Sequence, residues 1–297
     1  MSESRALEGR VALVTGAGGG IGAAEARALA AAGAAVVIND VEHASQSVDD
    51  LIDELRVSGC LAYKALGSVA DYERARDLVG TAVRELGRLD IVINNAGILR
   101  DRMLVGMSEQ EWDDVIAVHL KGTFAVTRHA AAYWRERAKS GNSFAGRIIN
   151  TTSASGIYGQ VGQSNYGAAK AAIAAFTLIV SDELARYGVT SNAIAPMALT
   201  QMNAGLRERS EEEKQLMAPQ NIAPLAVWLA SDEASQVTGR VFNVRGHSVS
   251  VAEGWMAGPA AESSTGWTQR ELTATIPRLL DQARGRSDMF GRPISPA

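Results

Sequence analysis

The sequence predicts an α/β fold in which a doubly wound parallel sheet is covered by helices on both faces. Three observations predict it. Strand-like and helix-like segments alternate from residue 11 to residue 244. Several strand-like segments are apolar at successive positions, as strands buried on both sides must be. A glycine-rich turn joins the first strand to the first helix, where such a fold places a ligand.

Val11-Ala12-Leu13-Val14-Thr15 reads as a short buried strand bounded by Gly16. Gly20 to Ala32 is an alanine-rich helix closed by Gly33. Ala35 to Asn39 is a second strand, 43–57 a helix and Leu61 to Ala65 a weak strand. Residues 71–86 are helical, with Leu78, Val79, Ala82, Val83 and Leu86 on one face and Gly87 at the stop. Leu89 to Ile93 is a strand, 109–139 a long helix, Arg147 to Thr151 a strand and 164–186 a second long helix. Val189 to Ala195 and Arg240 to Val244 supply the last strands, with a helix at 221–230 between them. One domain over residues 8–246 is expected, followed by an extension, 247–297, with two helix-like stretches. Trp255 and Trp267 in that extension argue for packing.

Composition bounds the function. With 46% hydrophobic and 21% charged residues, the chain has material for an ordinary core. A formal charge of −4 gives no reason to expect nucleic acid or an anionic membrane surface as partner. The single cysteine, Cys60, excludes an internal disulfide and fits a reducing compartment. Residues Met1 to Arg5 are polar, with no secretory apolar core, and the apolar run Ala28 to Ile38 is too short to span a bilayer. A soluble cytoplasmic protein is expected, acting on a small molecule without a metal.

The turn Thr15-Gly16-Ala17-Gly18-Gly19-Gly20-Ile21-Gly22 lets backbone approach a pyrophosphate at a helix N-terminus. Its spacing, Gly-x-x-x-Gly-x-Gly, differs from the commoner Gly-x-Gly-x-x-Gly. Asp40 ends the second strand, where a carboxylate accepts from an adenosine ribose and repels a 2′-phosphate. The loop has no arginine or lysine to bind such a phosphate, so NAD is expected over NADP. A plain N-cap for the following helix is the alternative role for Asp40.

Tyr166 and Lys170 lie four residues apart within a helical segment and so share a face. An ammonium beside a phenol favours phenolate, making a tyrosine base usable near neutral pH. Ser153 lies in Thr151-Thr152-Ser153-Ala154-Ser155, where its hydroxyl can bind a reacting oxygen or simply satisfy a strand-end backbone group.

Thr15-Gly16-x3-Gly20-Ile21-Gly22, Asn94-Asn95-Ala96-Gly97, Ser153 and Tyr166-x3-Lys170 occur in an order and spacing that resembles the short-chain dehydrogenase/reductase family. The resemblance covers about residues 8–246. It implies a single Rossmann-like domain with a seven-stranded parallel sheet, assembled as a homodimer or homotetramer. A narrower likeness joins Asn39-Asp40, Gly67-Ser68-Val69, Asn95 to Arg102, Val118-His119-Leu120 and Ser153 to Gly159. These segments look like the (3R)-hydroxyacyl-CoA dehydrogenase modules of peroxisomal multifunctional enzymes of type 2.

The resemblance implies Ser153, Tyr166 and Lys170 as catalytic residues. It implies Thr15, Gly16, Gly20, Ile21, Gly22, Asp40, Ser68, Val69, Asn95, Ala96, Gly97 and Thr200 as cofactor contacts, with Tyr166 and Lys170 also touching the nicotinamide ribose. Residues 197–220 would form a substrate lid. His119 stands where the broad family has asparagine, Ser68 where an aspartate is common, and Pro196-Met197 where Pro-Gly is usual. The type 2 modules share the histidine and the serine and also lack that glycine. Arg100-Asp101-Arg102 reads equally as a solvated turn or as a contact for an anionic substrate group.

The leading expectation is an NAD-dependent (3R)-hydroxyacyl-CoA dehydrogenase. A 3-oxoacyl-carrier-protein reductase is the nearest rival, and a hydroxysteroid or small-alcohol dehydrogenase a third. A non-enzymatic dinucleotide sensor would be expected to lack one of Ser153, Tyr166 and Lys170, and all three are present.

Overall fold

The computed structural model describes residues 5–141, 144–199, 210–285, 287–288 and 290–294. The chain forms two compact units, the first ending at Ala252 and the second beginning at Glu253.

Seven strands of the first unit run parallel: β1 (Val11–Val14), β2 (Ala35–Asp40), β3 (Ala62–Leu66), β4 (Ile91–Asn94), β5 (Gly146–Thr151), β6 (Val189–Met197) and β7 (Val241–Arg245). Their order is β3-β2-β1-β4-β5-β6-β7. The chain winds outward from β1 to one edge, then returns to β4 and winds to the other. Between β1 and β4 the crossovers diverge, leaving a crevice at the strand C-termini.

An eighth strand, β8 (Ser248–Ala252), departs from the seven expected. It pairs antiparallel with β7, Val244 opposite Val249. A tight turn makes this possible: Gly246 holds φ +54, open to glycine, and reverses the chain within two residues. The alternating Ser-Val-Ser-Val of β8 is a strand pattern, and the sheet therefore reaches beyond residue 246.

The strands are apolar on both faces because both faces are covered. Ala12, Val14, Val36, Ile38, Ile91 and Ile93 face one core, packed by α1 (Gly20–Ala31), α2 (Ser45–Val57) and the later helix at Ala223–Ala230. Val11, Leu13, Val37, Val92 and Ile148 face the other, under α3 (Tyr72–Leu86), α5 (Gly122–Lys139) and α7 (Ser164–Leu184). Each fully buried aliphatic side chain contributes about 1.5–3 kcal/mol relative to exposure. Trp134 of α5 is completely buried and its indole N–H donates to the Leu89 carbonyl at 2.7 Å.

Helix ends follow local chemistry. Asp71 caps α3 by accepting from the Glu73 and Arg74 amides, and Gly87 closes it at φ +76. Ser108 and Glu111 form a capping box at α4 (Glu109–Ile116). The predicted 109–139 helix is interrupted: residues Ala117–Lys121 form a π-helical turn between α4 and α5. Such a turn inserts a residue and re-aims side chains, and often marks a functional site. A five-residue helix, α6 (Ala154–Tyr158), was not foreseen. After α7 come α8 (Glu211–Leu216) and α9 (Ala223–Ala230).

The second unit holds one helix among its described residues, α10 (Gln269–Gln282), where two helical stretches were expected. A Thr268–Glu271 capping box starts it. The packing expected of both tryptophans fails at Trp255, which is fully exposed in the single chain. Among the described residues no helix is long and apolar enough to cross a membrane.

Candidate active site

The crevice begins at the glycine turn. Gly16 adopts φ +63, and a Cβ there would lie 2.6 Å from the Ala96 Cα. At Gly22 a Cβ would lie 2.5 Å from the Asn95 side chain and 2.6 Å from the Gly16 carbonyl oxygen. Only glycine lets the turn lie this close to the end of β4. The Asn95 amide donates to the Thr15 and Gly16 carbonyls at 3.0 Å, and Thr15 Oγ1 accepts from the Asn95 and Ala96 amides at 3.0 and 3.1 Å. Thr15 and Asn95 thus latch the turn onto the β4 segment.

Helix α1 starts with Gly19 as N-cap, with no side-chain cap and no acidic residue in its first turn. Space is open around a Cβ built at Gly19. Unpaired amides with a favourable dipole facing open space fit a pyrophosphate. Asp40 lies beside them, its Oδ2 accepting from the Gly18 amide at 2.9 Å and Oδ1 from the Val41 amide at 2.8 Å. It does not cap α2, whose N-cap is Ala44. The residues present therefore fit a dinucleotide, with the Asp40 carboxylate beside the glycine turn. Ser68 and Val69 follow β3, and Val69 is buried against Gly122. Thr200 and residues 201–209 of the expected lid lie outside the described residues.

Ser153, Tyr166 and Lys170 converge at the ends of β5 and α7. Ser153 adopts an extended backbone as N-cap of α6, its Oγ accepting from the Ser155 amide at 3.1 Å. The hydroxyl thus satisfies a strand-end backbone group and also hydrogen-bonds the Tyr166 phenol. Lys170 is buried, and its Nζ donates to the Thr151 carbonyl at 2.6 Å. Its Nζ lies 5.5 Å from the Tyr166 ring centre.

Burial pushes the Lys170 ammonium down to about 7. Burial also raises the Tyr166 phenol, opposed by its hydrogen bond with Ser153 and reinforced by the charge of Asp101. The expected depression of Tyr166 by Lys170 is thus not realised in the protein alone. Desolvation of the phenolate outweighs the lysine, whose own charge is weakened by the same burial.

His119, on the π-helical turn, packs edge-on to Tyr166 with ring centres 5.1 Å apart. Its Nε2 is 2.8 Å from the Ile98 carbonyl and 3.0 Å from the Ile98 amide, while Nδ1 is buried without a partner. Burial, then the charge of Lys170, pushes the imidazole down to about 3, so it is neutral across the working range. The ring stacks over Gly97, where a Cβ would collide with it.

Three sets of residues escaped the sequence reading. Asn94 donates to Asn150 at 2.8 Å and Thr127 at 3.0 Å, and Asn150 donates to Thr177 at 2.9 Å, a buried network beneath the site. Asn165, fully buried, donates to the Arg100 and Glu111 carbonyls at 3.0 Å and accepts from the Tyr166 amide at 2.7 Å. Glu25 is buried in α1, four residues after Ile21. A lone acid in an alanine-rich helix was the one available signal. The arginines of the 100–102 run point to acids, Arg102 to Glu111 at 3.3 Å and Arg100 to Asp114 at 3.7 Å.

A helix end with unpaired amides, a carboxylate beside the glycine turn and a serine–tyrosine–lysine cluster fit an oxidoreductase acting on CH–OH groups. The chain belongs to the short chain dehydrogenase family, whose model matches residues 10–211. It is 47% identical over 281 residues to the hydroxyacyl-CoA dehydrogenase ChsB1 of Mycobacterium tuberculosis, covering 91% of this chain and 88% of that one. It is 39% identical to the peroxisomal multifunctional enzyme type 2 of Mus musculus, over 82% of this chain but 32% of that protein. Identity to the 3-oxoacyl-[acyl-carrier-protein] reductase FabG of Thermotoga maritima is 37%, over 81% of this chain and 98% of the other. A crystal structure of a short chain dehydrogenase from Mycobacterium avium superposes with a TM-score of 0.87 at 47% identity, covering 98% of this chain and all of that one.

Proposed function

We propose that the chain oxidises (3R)-3-hydroxyacyl thioesters of CoA to 3-oxoacyl thioesters, using NAD. The observation that carries the chemistry is the convergence of Ser153, Tyr166 and Lys170 beside the glycine turn. Similarity to ChsB1 and to the type 2 multifunctional enzyme supports the thioester, and Asp40 supports NAD. Bound NAD supplies the hydride acceptor. Ser153 Oγ donates to the substrate oxygen and orients it. Tyr166 Oη takes the hydroxyl proton, and in the reverse direction returns it. Lys170, when charged, stabilises the phenolate, and its remaining N–H groups are directed to the nicotinamide ribose. Thr15, Gly16, Gly20, Ile21, Gly22, Ser68, Val69, Asn95, Ala96, Gly97 and Thr200 complete the cofactor contacts. We place the catalytic domain at residues 8–252, β8 included, in place of the expected boundary at 246, and the extension at 253–297, in a homodimeric or homotetrameric cytoplasmic enzyme.

The purified protein, racemic 3-hydroxyacyl-CoAs and either NAD or NADP test this by absorbance of the reduced nicotinamide. Turnover with NAD, confined to the (3R) enantiomer, is expected. Turnover with NADPH and 3-oxoacyl carrier protein alone would instead establish the reductase reading, which the FabG similarity favours. Tyr166→Phe should lower kcat at least about 1,000-fold with NAD binding retained. Equal activity in that variant would sink the assignment.

A further inference from the structure

Ser153 is tied to a surface carboxylate through three hydrogen bonds that no part of the mechanism uses. The Ser155 amide donates to Ser153 Oγ at 3.1 Å. Ser155, itself buried, donates through Oγ to Gln163 Oε1 at 2.7 Å. Gln163 Nε2 then donates to Asp101 Oδ2 at 2.8 Å. Gln163 is the N-cap residue of α7, the helix that carries Tyr166 and Lys170.

The direction of this chain is set at its outer end. A carboxylate only accepts, so Asp101 fixes the Gln163 amide with its NH₂ outward and its oxygen toward Ser155. The reverse orientation would set the amide oxygen against Asp101. With Oε1 inward, the Ser155 hydroxyl is committed as a donor, and its side chain pins the first turn of α6. That pinned turn holds the Ser155 amide, which can only donate, against a lone pair of Ser153 Oγ. That leaves the Ser153 proton for an acceptor on the far side, the Tyr166 oxygen in this structure and the substrate oxygen in the proposed reaction.

The strand of chain bearing Asp101 is itself anchored. The Arg102 amide donates to the Gly162 carbonyl at 2.8 Å, and Asn165 holds the Arg100 carbonyl at 3.0 Å. The flanking arginines are engaged with Asp114 and Glu111, so Asp101 is left to Gln163.

Resting on the reading of Ser153 and Tyr166 as the catalytic pair, we propose that Asp101 and Gln163 are positioning residues that orient the Ser153 hydroxyl. They act through Ser155 and the first turn of α6. Their effect is on kcat, because hydroxyl direction matters most when charge develops on the substrate oxygen.

The test is a double-mutant cycle in the full chain, on whichever secondary alcohol or thioester the wild type oxidises. Asp101→Leu and Gln163→Leu should each lower kcat about 10- to 100-fold, with KM and NAD affinity changed less than about threefold. The double variant should be no worse than the weaker single variant, because both break one chain. Asp101→Asn, whose amide can donate as well as accept, no longer fixes the direction of Gln163 and should recover only part of the loss. Thermal midpoints of all four should stay within about 3 °C of wild type, which separates orientation from unfolding. Wild-type kcat in Gln163→Leu, losses that multiply in the double variant, or full wild-type kcat in Asp101→Asn would each overturn the proposal. Failure of the catalytic assignment reads differently, as a Tyr166→Phe enzyme that still turns over.

Discussion

Glu25 offers a measurement of what the first helix costs the fold. Its side chain is 1% exposed, its Oε2 has no hydrogen-bond partner, and burial raises its carboxyl from 4.5 to about 8. Below pH 4.5 the group is protonated in both folded and unfolded chains and has no linkage effect. Between 4.5 and 8 the folded chain holds a proton that the unfolded chain releases, so stability falls as pH rises. The slope is about 1.4 kcal/mol per pH unit. From pH 5.5 to 7.5 the loss is therefore about 2.5 kcal/mol, levelling off above pH 8. Glu25→Gln removes the titration while preserving size. Urea unfolding at one protein concentration, at pH 5.5 and 7.5, reads the effect. The stability of the variant relative to wild type should rise by about 2.5 kcal/mol between pH 5.5 and pH 7.5. Parallel wild-type and variant curves across that range would refute the reasoning, showing that Glu25 finds a partner or water when ionised.

Gly22→Ala must push against the Asn95 side chain and the Gly16 carbonyl, so NAD affinity should fall at least about tenfold, read by fluorescence titration. Asp40→Ala frees the Gly18 amide and removes the charge beside the glycine turn. The ratio of kcat/KM for NAD over NADP should drop at least about tenfold, and an unchanged ratio would remove Asp40 from cofactor choice. His119, held neutral by burial, should show no imidazole titration between pH 5 and 8 by NMR, and His119→Asn should leave the pH profile of kcat unshifted. Asp71→Ala, which uncaps α3, should cost about 1 kcal/mol in urea unfolding with no change in KM.

Much of this protein is local, and the local part was legible. Apolar runs at Val11 to Val14, Val36 to Ile38 and Ile91 to Ile93 demand burial on two faces, and the chain can supply that only with helices on both sides. Gly16 and Gly22, Asp40, and the four-residue step from Tyr166 to Lys170 announce their chemistry because each depends on backbone freedom or on one helix face. What the sequence left open depends on residues distant along the chain. The strand β8 follows from a turn at Gly246, and its partner register from β7. The π-helical turn that aims His119 at Tyr166 breaks a helix whose apolar periodicity runs through it unmarked. The link from Asp101 to Gln163 spans sixty-two positions, and neither residue type signals the other. The titrations of Glu25, Tyr166 and Lys170 were equally hidden. They are set by the water that packing removes, and only the folded chain determines how much water that is.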